Sequence, residues 1–319
     1  MEVINRLEEI LSVALDYRVS DIHFCVFTQK EEIRIEMRMN NEMRQVTQKK
    51  EDIRVFRYLL YQANLDISNH FVPQTGHFSM HLGTHIIHLR FAVLANQQML
   101  NGVLRILSTK QELSLEELCK EADVINFFRN FASQKEGLIV FSGPTGSGKT
   151  TSLYTILKTI QNKKIYSLED PIEVEQEHFV QLQINEKQNF TYAHGIKQLM
   201  RHDPDILMIG EIRDDIAASS AVRAALTGHL VFSSIHSQNA HTTIERLLEL
   251  GVNSSHLKEC LFAIINQRLL VKGNQKKAVF EIADRKEISN YFETGSFSKE
   301  FKSLQTILLE EAQKGYRLP

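Results

Sequence analysis

The sequence is poor in cysteine, in long apolar runs and in net charge, and each shortage excludes a class of protein. Its 319 residues include three cysteines, none in a C-x-x-C pair, which argues against a disulfide framework and a cysteine zinc site. No apolar run reaches the ~18 residues of a membrane span, and an N-terminus with Glu2, Glu8 and Glu9 is unlike a signal peptide. The net charge of −2 gives no bulk basic surface for nucleic acid. We therefore expect a cytoplasmic protein with reduced thiols, no transmembrane segment and no direct nucleic-acid partner.

The length and the pattern of apolar residues predict two domains. A chain of this size is typical of about two domains. Up to residue 107, amphipathic helical stretches and alternating strands predict a smaller α+β domain, and the polar residues 108–114 are predicted to form a linker. Over 115–319, short apolar runs alternate with helical segments, which predicts an α/β domain with a mostly parallel sheet and a helical C-terminal part. The predicted strands of this domain are residues 138–141, 165–168, 206–209 and 230–235.

Residues 143–150 form a complete G-x-x-x-x-G-K-[ST] phosphate loop between an apolar strand and a helical stretch. The glycines let backbone N–H groups converge on phosphate oxygens, and the helix N-terminus adds its positive dipole end. Lys149 is predicted to reach the β- and γ-phosphates, and the Thr150 hydroxyl to ligate Mg²⁺. ATP and Mg²⁺ are the expected cofactors. The predicted nucleotide-binding residues are Gly143, Pro144, Thr145, Gly146, Ser147, Gly148, Lys149, Thr150 and Thr151.

Acidic residues follow two further predicted strands of the second domain. Glu169 and Asp170 end the second strand, and Glu211 follows the third. Open α/β sheets place ligands at the carboxyl ends of their strands, so these acids are candidates for ATP hydrolysis. Glu211 stands where a carboxylate polarises the attacking water and contacts Mg²⁺ through water, although Gly210 replaces the aspartate that usually precedes it. The alternative for each acid is a solvated residue after a strand.

Histidines form two further candidate groups. His229 and His236 stand at the two ends of the fourth predicted strand, with His236 on the phosphate side, and each is either catalytic or structural. His77, His81 and His88 share the polar face of a predicted hairpin, so a metal site there is conceivable. Cysteines and carboxylates do not accompany them, and we expect a solvated hairpin face without zinc.

Four sequence blocks in order resemble the secretion and type IV pilus ATPases, also called traffic ATPases. The Gly210-Glu211 ending is normal in that family, and Gln267-Arg268-Leu269 matches its Q-R-L signature. Ser20-Asp21-Ile22-His23 resembles a block of its N-terminal domain, so the resemblance covers nearly the whole chain. The four blocks, which resemble the Walker A, aspartate, Walker B and histidine boxes, are residues 143–150, 167–173, 203–214 and 227–236.

The resemblance implies a fold, an assembly and partners. The fold would be a RecA-like P-loop NTPase core preceded by a PAS-like N-terminal domain. The assembly would be a homo-hexamer in which Arg90 and Arg105 approach bound nucleotide, and strand alternation puts Arg90 on a polar face. The alternative for each arginine is a surface salt bridge. The implied partners are the cytoplasmic part of a polytopic inner-membrane platform protein and, indirectly, pilin-like subunits, with the protein peripheral at the cytoplasmic face of the membrane.

Departures from the family pattern narrow the expected function. Residues 270–278 carry none of the cysteines of the zinc insertion found in many assembly ATPases, and the sequence begins almost directly at the Ser20 block. A compact, zinc-free form resembles the ATPases of the Gram-positive competence pseudopilus, which implies Mg-ATP hydrolysis that powers pseudopilus assembly for DNA uptake. The alternatives are a type II secretion, pilus-retraction or conjugation ATPase, although residues 297–319 lack the retraction motif. Outside the family, the alternatives are a DNA-translocating motor, which would need a basic channel, and a non-catalytic nucleotide-binding scaffold.

Overall fold

The chain divides into two compact units, residues 1–111 and 112–319. A computed structural model describes residues 2–318 apart from 18, 28, 29, 31, 40, 41, 67–71, 84, 97, 108–112, 173, 175, 186, 187 and 274. Residues 108–112 of the predicted linker therefore lie outside the described residues. Ser114, at the end of that predicted linker, already belongs to a helix start, because it forms a capping box with Glu117.

The first unit is an antiparallel sheet of six strands with two helices packed against one face. The strand order is β3-β2-β1-β6-β5-β4. Its helices and strands, in chain order, are α1 Glu2–Asp16, β1 Asp21–Phe27, β2 Glu32–Met39, β3 Glu42–Gln45, α2 Asp52–Gln62, β4 Gln74–Leu82, β5 His85–Ala95 and β6 Met99–Leu107.

Alternation along the strands separates an apolar face of this sheet from a polar one. The apolar face packs on α1 and α2 around Phe24, Phe56 and Phe91, whose ring centroids lie 5.6–6.3 Å apart. A Cβ at Gly102 would lie 2.6 Å from the Phe91 ring, so only glycine fits beneath this cluster. The opposite face carries Arg90, which is paired in register with Arg105 of β6.

The second unit is a seven-stranded sheet of order β13-β12-β7-β11-β10-β8-β9, in which only the β12–β13 pair is antiparallel. A 3₁₀ turn spans Asn130–Ser133. The other elements are α3 Leu115–Leu118, α4 Ala122–Arg129, β7 Gly137–Ser142, α5 Lys149–Thr159, β8 Ile165–Glu169, β9 Phe179–Gln183, α6 Tyr192–Leu199, β10 Ile206–Ile209, α7 Asp215–Leu226, β11 Leu230–Ile235, α8 Ala240–Glu249, α9 Ser254–Cys260, β12 Leu261–Lys272, β13 Gln275–Ala283, α10 Arg285–Thr294 and α11 Leu304–Gln313.

The central strands of the second sheet are buried on both faces, which explains their uninterrupted apolar sequences. Leu138 and Val140 of β7 face a core formed with α6, α7 and α8, whereas Ile139 and Phe141 face a core formed with α4 and α5. The four predicted strands are observed as β7, β8, β10 and β11, so the predicted α/β class is confirmed. Because these four strands are parallel, their carboxyl ends meet at one edge of the sheet.

Candidate nucleotide-binding and catalytic site

The phosphate loop, residues 143–150, connects β7 to α5 and is built on glycines in the left-handed region. Gly143, Gly146 and Gly148 have φ values of 143°, 79° and 89°, and Gly148 is the N-cap of α5. A Cβ at Gly143 would lie 2.5 Å from the Gln267 carbonyl oxygen of β12, so this turn also requires close packing that only glycine permits. The loop is therefore pressed against β12 and leads directly into a helix N-terminus.

The polar groups of the loop fit a nucleotide phosphate. Lys149 lies at the first position of α5 and donates from Nζ to the carbonyl oxygens of Gly143 (2.8 Å) and Pro144 (3.1 Å). The Ser147 hydroxyl is buried and has no hydrogen-bond partner among the residues that the structure describes. An ammonium group, backbone N–H groups and a helix dipole converge here, which is the donor set that anionic phosphate requires. Thr150 follows in the first turn of α5 and supplies a hydroxyl suited to Mg²⁺.

Glu211 follows β10 and lies at the centre of a polar network across three strand ends. Its Oε1 is 3.0 Å from His236 Nε2 after β11, and its Oε2 accepts a hydrogen bond of 3.0 Å from Arg213 Nε. Arg213 also donates to Asp170 Oδ2 after β8, at 3.3 Å. The structure thus brings together three predicted residues, Glu211, His236 and Asp170. Sequence reasoning did not select Arg213, although it belongs to the 203–214 block.

The charge of Arg213 is stabilised by this network. Partial burial opposes it, but the hydrogen bond from Arg213 to Glu211 and the negative charges of Glu211 and Asp170 raise its pKa. Nearby, burial and then the charge of Asp170 raise the pKa of Tyr192, at the start of α6. Arg213 is therefore a permanent cation that holds two carboxylates in place, and Tyr192 stays a neutral hydroxyl beside them.

Gly210 explains how Glu211 comes close to β8. The Gly210 N–H donates to the Leu168 carbonyl oxygen at 2.8 Å. A Cβ at position 210 would lie 3.2 Å from that oxygen and 3.4 Å from Glu169 Cα, so a side chain here would require the backbone of β8 to yield slightly. A glycine before Glu211 therefore lets β10 and β8 remain paired up to this carboxylate.

Glu169, predicted to be catalytic, lies in the interior at the end of β8. It is 3% exposed. Its carboxylate accepts hydrogen bonds from Tyr154 Oη, from Ser167 Oγ at 2.6 Å and from Gln181 Nε2 at 2.9 Å. These contacts join α5, β8 and β9, so the carboxylate stabilises the sheet beside the loop. Glu173, the last residue of the same sequence block, lies outside the described residues.

His229 lies at the opposite end of β11 from the other candidate residues of this unit, as its place in the sequence indicates, and its catalytic role stays a prediction. It precedes β11 at the amino end of the strand, where its carbonyl oxygen accepts from the Gly137 N–H at 3.1 Å. Its Nδ1 lies 3.4 Å from Thr227 Oγ1. A strand of this length separates His229 from His236 by about 20 Å. Of these two histidines, His236 is therefore the one at the edge that carries the phosphate loop.

Arg90 and Arg105 lie side by side on the polar face of the first unit. Arg105 Nε is 2.6 Å from Asp21 Oδ1 on β1, so one arginine forms the surface ion pair that was the alternative to a nucleotide contact. Partial burial opposes ionisation of Asp21, but hydrogen bonds from Arg105 and Ser20 lower its pKa. On the neighbouring hairpin, His88 Nδ1 lies 2.8 Å from Ser79 Oγ. Among the residues that the structure describes, no three histidine, cysteine or acidic side chains cluster as metal ligands.

Known proteins resemble this chain over most of its length. A family model described as type II/IV secretion system protein matches residues 1–304. Competence protein ComGA of Bacillus subtilis is 35% identical over 79% of this chain and 72% of that protein, and ComGA of Halalkalibacterium halodurans is 38% identical over 83% and 78%. A putative type II secretion system protein E of Escherichia coli is 37% identical over 84% of this chain but only 55% of its own length. The resemblance drawn from the sequence blocks is therefore confirmed.

Solved structures show the same fold at lower identity. The crystal structure of the pilus retraction motor PilT with bound ADP has a TM-score of 0.75 and 24% identity, and covers 97% of this chain and 94% of its own. The ATPase DotB of Legionella pneumophila has a TM-score of 0.67 and 20% identity, and the match covers 96% of this chain and 95% of that one.

None of the helices in the described part of the chain is both long enough and apolar enough to cross a membrane.

Proposed function

This chain belongs to the type II/IV secretion system protein family, and on that premise we propose that it is a mechanochemical ATPase for a type IV-like competence pseudopilus. The observation that carries the ATPase proposal is the position of Glu211, fixed by His236 and Arg213 at the sheet edge that also bears the phosphate loop. A loop for phosphate and a held carboxylate at the same edge are the two elements that hydrolysis requires.

In this proposal each residue of the site has a separate role. Lys149 holds the β- and γ-phosphates, and Glu211 orients the attacking water and accepts its proton. Mg²⁺ supplies charge neutralisation on the phosphates, and the Thr150 hydroxyl together with Glu211, through water, would hold it. His236 and Arg213 bind opposite oxygens of Glu211 and so fix the direction in which its carboxylate points.

Two substitutions test the site assignment. Lys149→Ala removes the main counter-charge for the phosphates and should abolish both binding and hydrolysis. Glu211→Gln keeps the side-chain shape, so nucleotide should still bind while turnover falls by ~10² or more. Binding is measured by titration with a fluorescent ATP analogue and turnover by phosphate release. If Glu211→Gln loses binding together with turnover, Glu211 is a structural or metal-anchoring residue and the assignment is wrong.

The assembled machine is also part of the proposal. We propose a homo-hexamer, peripheral at the cytoplasmic face of the membrane, in which Arg90 and Arg105 stabilise the charge that develops on the γ-phosphate. Permanently charged planar guanidinium groups suit that task. The test mixes Arg90→Ala/Arg105→Ala chains with Glu211→Gln chains and assays turnover. Recovered activity indicates that the arginines act across a subunit interface, whereas full activity of the double arginine variant as a monomer rejects both the ring and the arginine role.

The competence role is supported by two relatives described as competence protein ComGA. The proposed partners are the cytoplasmic part of a polytopic membrane platform protein and, through it, pilin-like subunits. The second candidate function is type II secretion, favoured by the similarity to a putative type II secretion system protein E. Deleting the gene separates the two functions, because loss of DNA uptake with normal protein secretion supports the competence role. Loss of secretion with normal uptake supports the second candidate.

A further inference from the structure

Three successive residues of β12 connect the phosphate loop to the turn that follows β11. Asn266 Nδ2 donates to Ser142 Oγ, the last residue before the loop, at 2.8 Å. Gln267 Nε2 donates to the Ser147 carbonyl oxygen within the loop, also at 2.8 Å. Both side chains are buried, and the third residue, Arg268, reaches the turn formed by residues 236–239.

The guanidinium of Arg268 is bound by neutral oxygens. Its Nη1 donates to Asn266 Oδ1 at 2.8 Å and to the Gln267 carbonyl oxygen at 3.0 Å, and its Nη2 donates to the Gln238 carbonyl oxygen at 2.5 Å. Among the described residues it forms no salt bridge, and the negative charge of Glu281 acts on it without such contact. Burial lowers the pKa of Arg268, because removing the guanidinium cation from water costs solvation free energy. A planar fork across three acceptors fixes their relative positions more firmly than a single bond would.

The acceptor at Gln238 lies two residues after His236, whose imidazole contacts Glu211 at 3.0 Å. Asn266 Nδ2 also reaches the Ser237 carbonyl oxygen, at the longer distance of 3.4 Å. We propose that Arg268 is a positioning residue for hydrolysis, because it clamps the 236–239 turn to β12 and so keeps His236 on Glu211. The inference rests on the proposed ATPase function and adds a residue that acts only through His236.

The surroundings of Arg268 allow the residue to be changed without rebuilding the core. The side chain borders a cavity of about 820 Å³, lined also by Leu270, Leu304 and Tyr316. A shorter side chain at position 268 therefore extends this existing space and creates no new sealed void. Glutamine keeps a polar group at the site but loses the forked geometry, and lysine keeps the charge with a single donor centre.

The test is a double-mutant cycle with Arg268→Gln and His236→Gln in the full chain. We expect Arg268→Gln to lower kcat by ~10-fold or more while the affinity for ATP changes less than ~3-fold, since the loop is held separately by Gln267. We expect the double variant to be no slower than His236→Gln alone, within ~2-fold, because both changes remove the same contact. Arg268→Lys should recover part of the loss. If Arg268→Gln is not recovered folded, Arg268→Lys takes its place in the cycle.

Arg285, the first residue of α10, offers a matched control, because it binds the opposite end of β12 from Arg268. Its Nη1 donates to the carbonyl oxygens of Lys258 at 2.8 Å and of Leu261, the first residue of β12, at 2.7 Å. Arg285→Gln should cost comparable thermal stability but leave kcat within ~2-fold of the wild type, because it is remote from His236.

The outcomes separate this inference from the proposed function. If the losses of Arg268→Gln and His236→Gln multiply, Arg268 acts independently of His236 and the positioning role is wrong. The same conclusion holds if Arg268→Gln leaves kcat unchanged, or if it weakens ATP affinity as much as kcat. If His236→Gln itself has wild-type turnover, the proposed role of His236 in orienting Glu211 is wrong, and the positioning role of Arg268 fails with it, whereas the roles of Lys149 and Glu211 are tested separately by their own substitutions.

Discussion

The buried carboxylate of Glu169 allows one stability effect to be worked out from the structure. Its hydrogen bond from Tyr154 joins α5 to the end of β8, and Tyr154 is itself 7% exposed. Tyr154→Phe removes this donor while the ring remains packed, and Ser167 and Gln181 still donate to the other carboxylate oxygen. Hydrogen bonds to charged groups contribute about 1.5–3 kcal/mol each. We therefore expect Tyr154→Phe to lower the free energy of unfolding by about 2 kcal/mol.

Tyr166→Phe is the matched control for this prediction. Tyr166 Oη donates to the His202 carbonyl oxygen at 3.4 Å in an exposed position, so its removal should change the free energy of unfolding by less than about 0.5 kcal/mol. Both variants are compared with the wild type by urea unfolding followed by far-ultraviolet circular dichroism, with the m-value checked for constancy. Equal stabilities for the two variants, within about 0.5 kcal/mol, would refute the assignment of a charged hydrogen bond to Glu169.

Three further substitutions or modifications test other parts of the structure. Gly143→Ala would place Cβ 2.5 Å from the Gln267 carbonyl oxygen and should weaken ATP affinity ~10-fold or more, whereas Gly251→Ala, which also has a positive φ but open space around the Cβ, should not. Partial burial opposes the charge of Glu121, but hydrogen bonds from Cys119 and Lys277 lower its pKa from 4.5 to about 2. The ionised carboxylate therefore stabilises the folded protein above pH 4.5, and this contribution is lost as the pH falls toward 2. Glu121→Gln should therefore reduce the acid-induced loss in unfolding free energy by about 1 kcal/mol after solvent screening, and an unchanged acid transition would contradict this. Burial raises the pKa of Cys119 and Cys260 to about 12, so both thiols should resist iodoacetamide in the native protein and react in urea, and rapid native labelling of either would be incompatible with this environment.

Within the second unit, the strands that could be predicted from the sequence are those whose environment is apolar on both faces. β7, β8, β10 and β11 consist largely of apolar residues, so composition alone indicates a buried strand. β12 was not predicted as a strand, because its central residues Asn266, Gln267 and Arg268 are polar. Their burial depends on partners in the phosphate loop and the 236–239 turn, which lie far away in sequence. The local sequence pattern around β12 therefore does not indicate that these residues form a buried strand.

The same limit applies to the candidate site. The phosphate loop is a contiguous motif, so its residues and its position between strand and helix could be read directly. The different environments of Glu169 and Glu211 could not be predicted from the sequence, because both acids come at the ends of apolar strands. Glu169 is enclosed because Tyr154 of α5 and Gln181 of β9 reach it, whereas Glu211 meets His236 and Arg213. Which acid is enclosed depends on the strand order, and strand order is not a property of any single segment.

Strand order also explains why hydrolysis should depend on the apolar core. β11 lies between β7, which leads into the phosphate loop, and β10, which leads to Glu211. Ser142 of β7 pairs with Ile235, and Ile209 of β10 pairs with Ser233. The phosphate loop and Glu211 therefore both follow their strands close to the carboxyl end of β11. A shift of β11 against either neighbour would move His236 relative to both. Val231 and Phe232 pack in the cores on opposite faces of the sheet, and this resists such a shift. A shift of register by one residue would turn each side chain toward the core on the other face. The geometry around Glu211 is therefore maintained in part by apolar residues buried in the two cores of this unit.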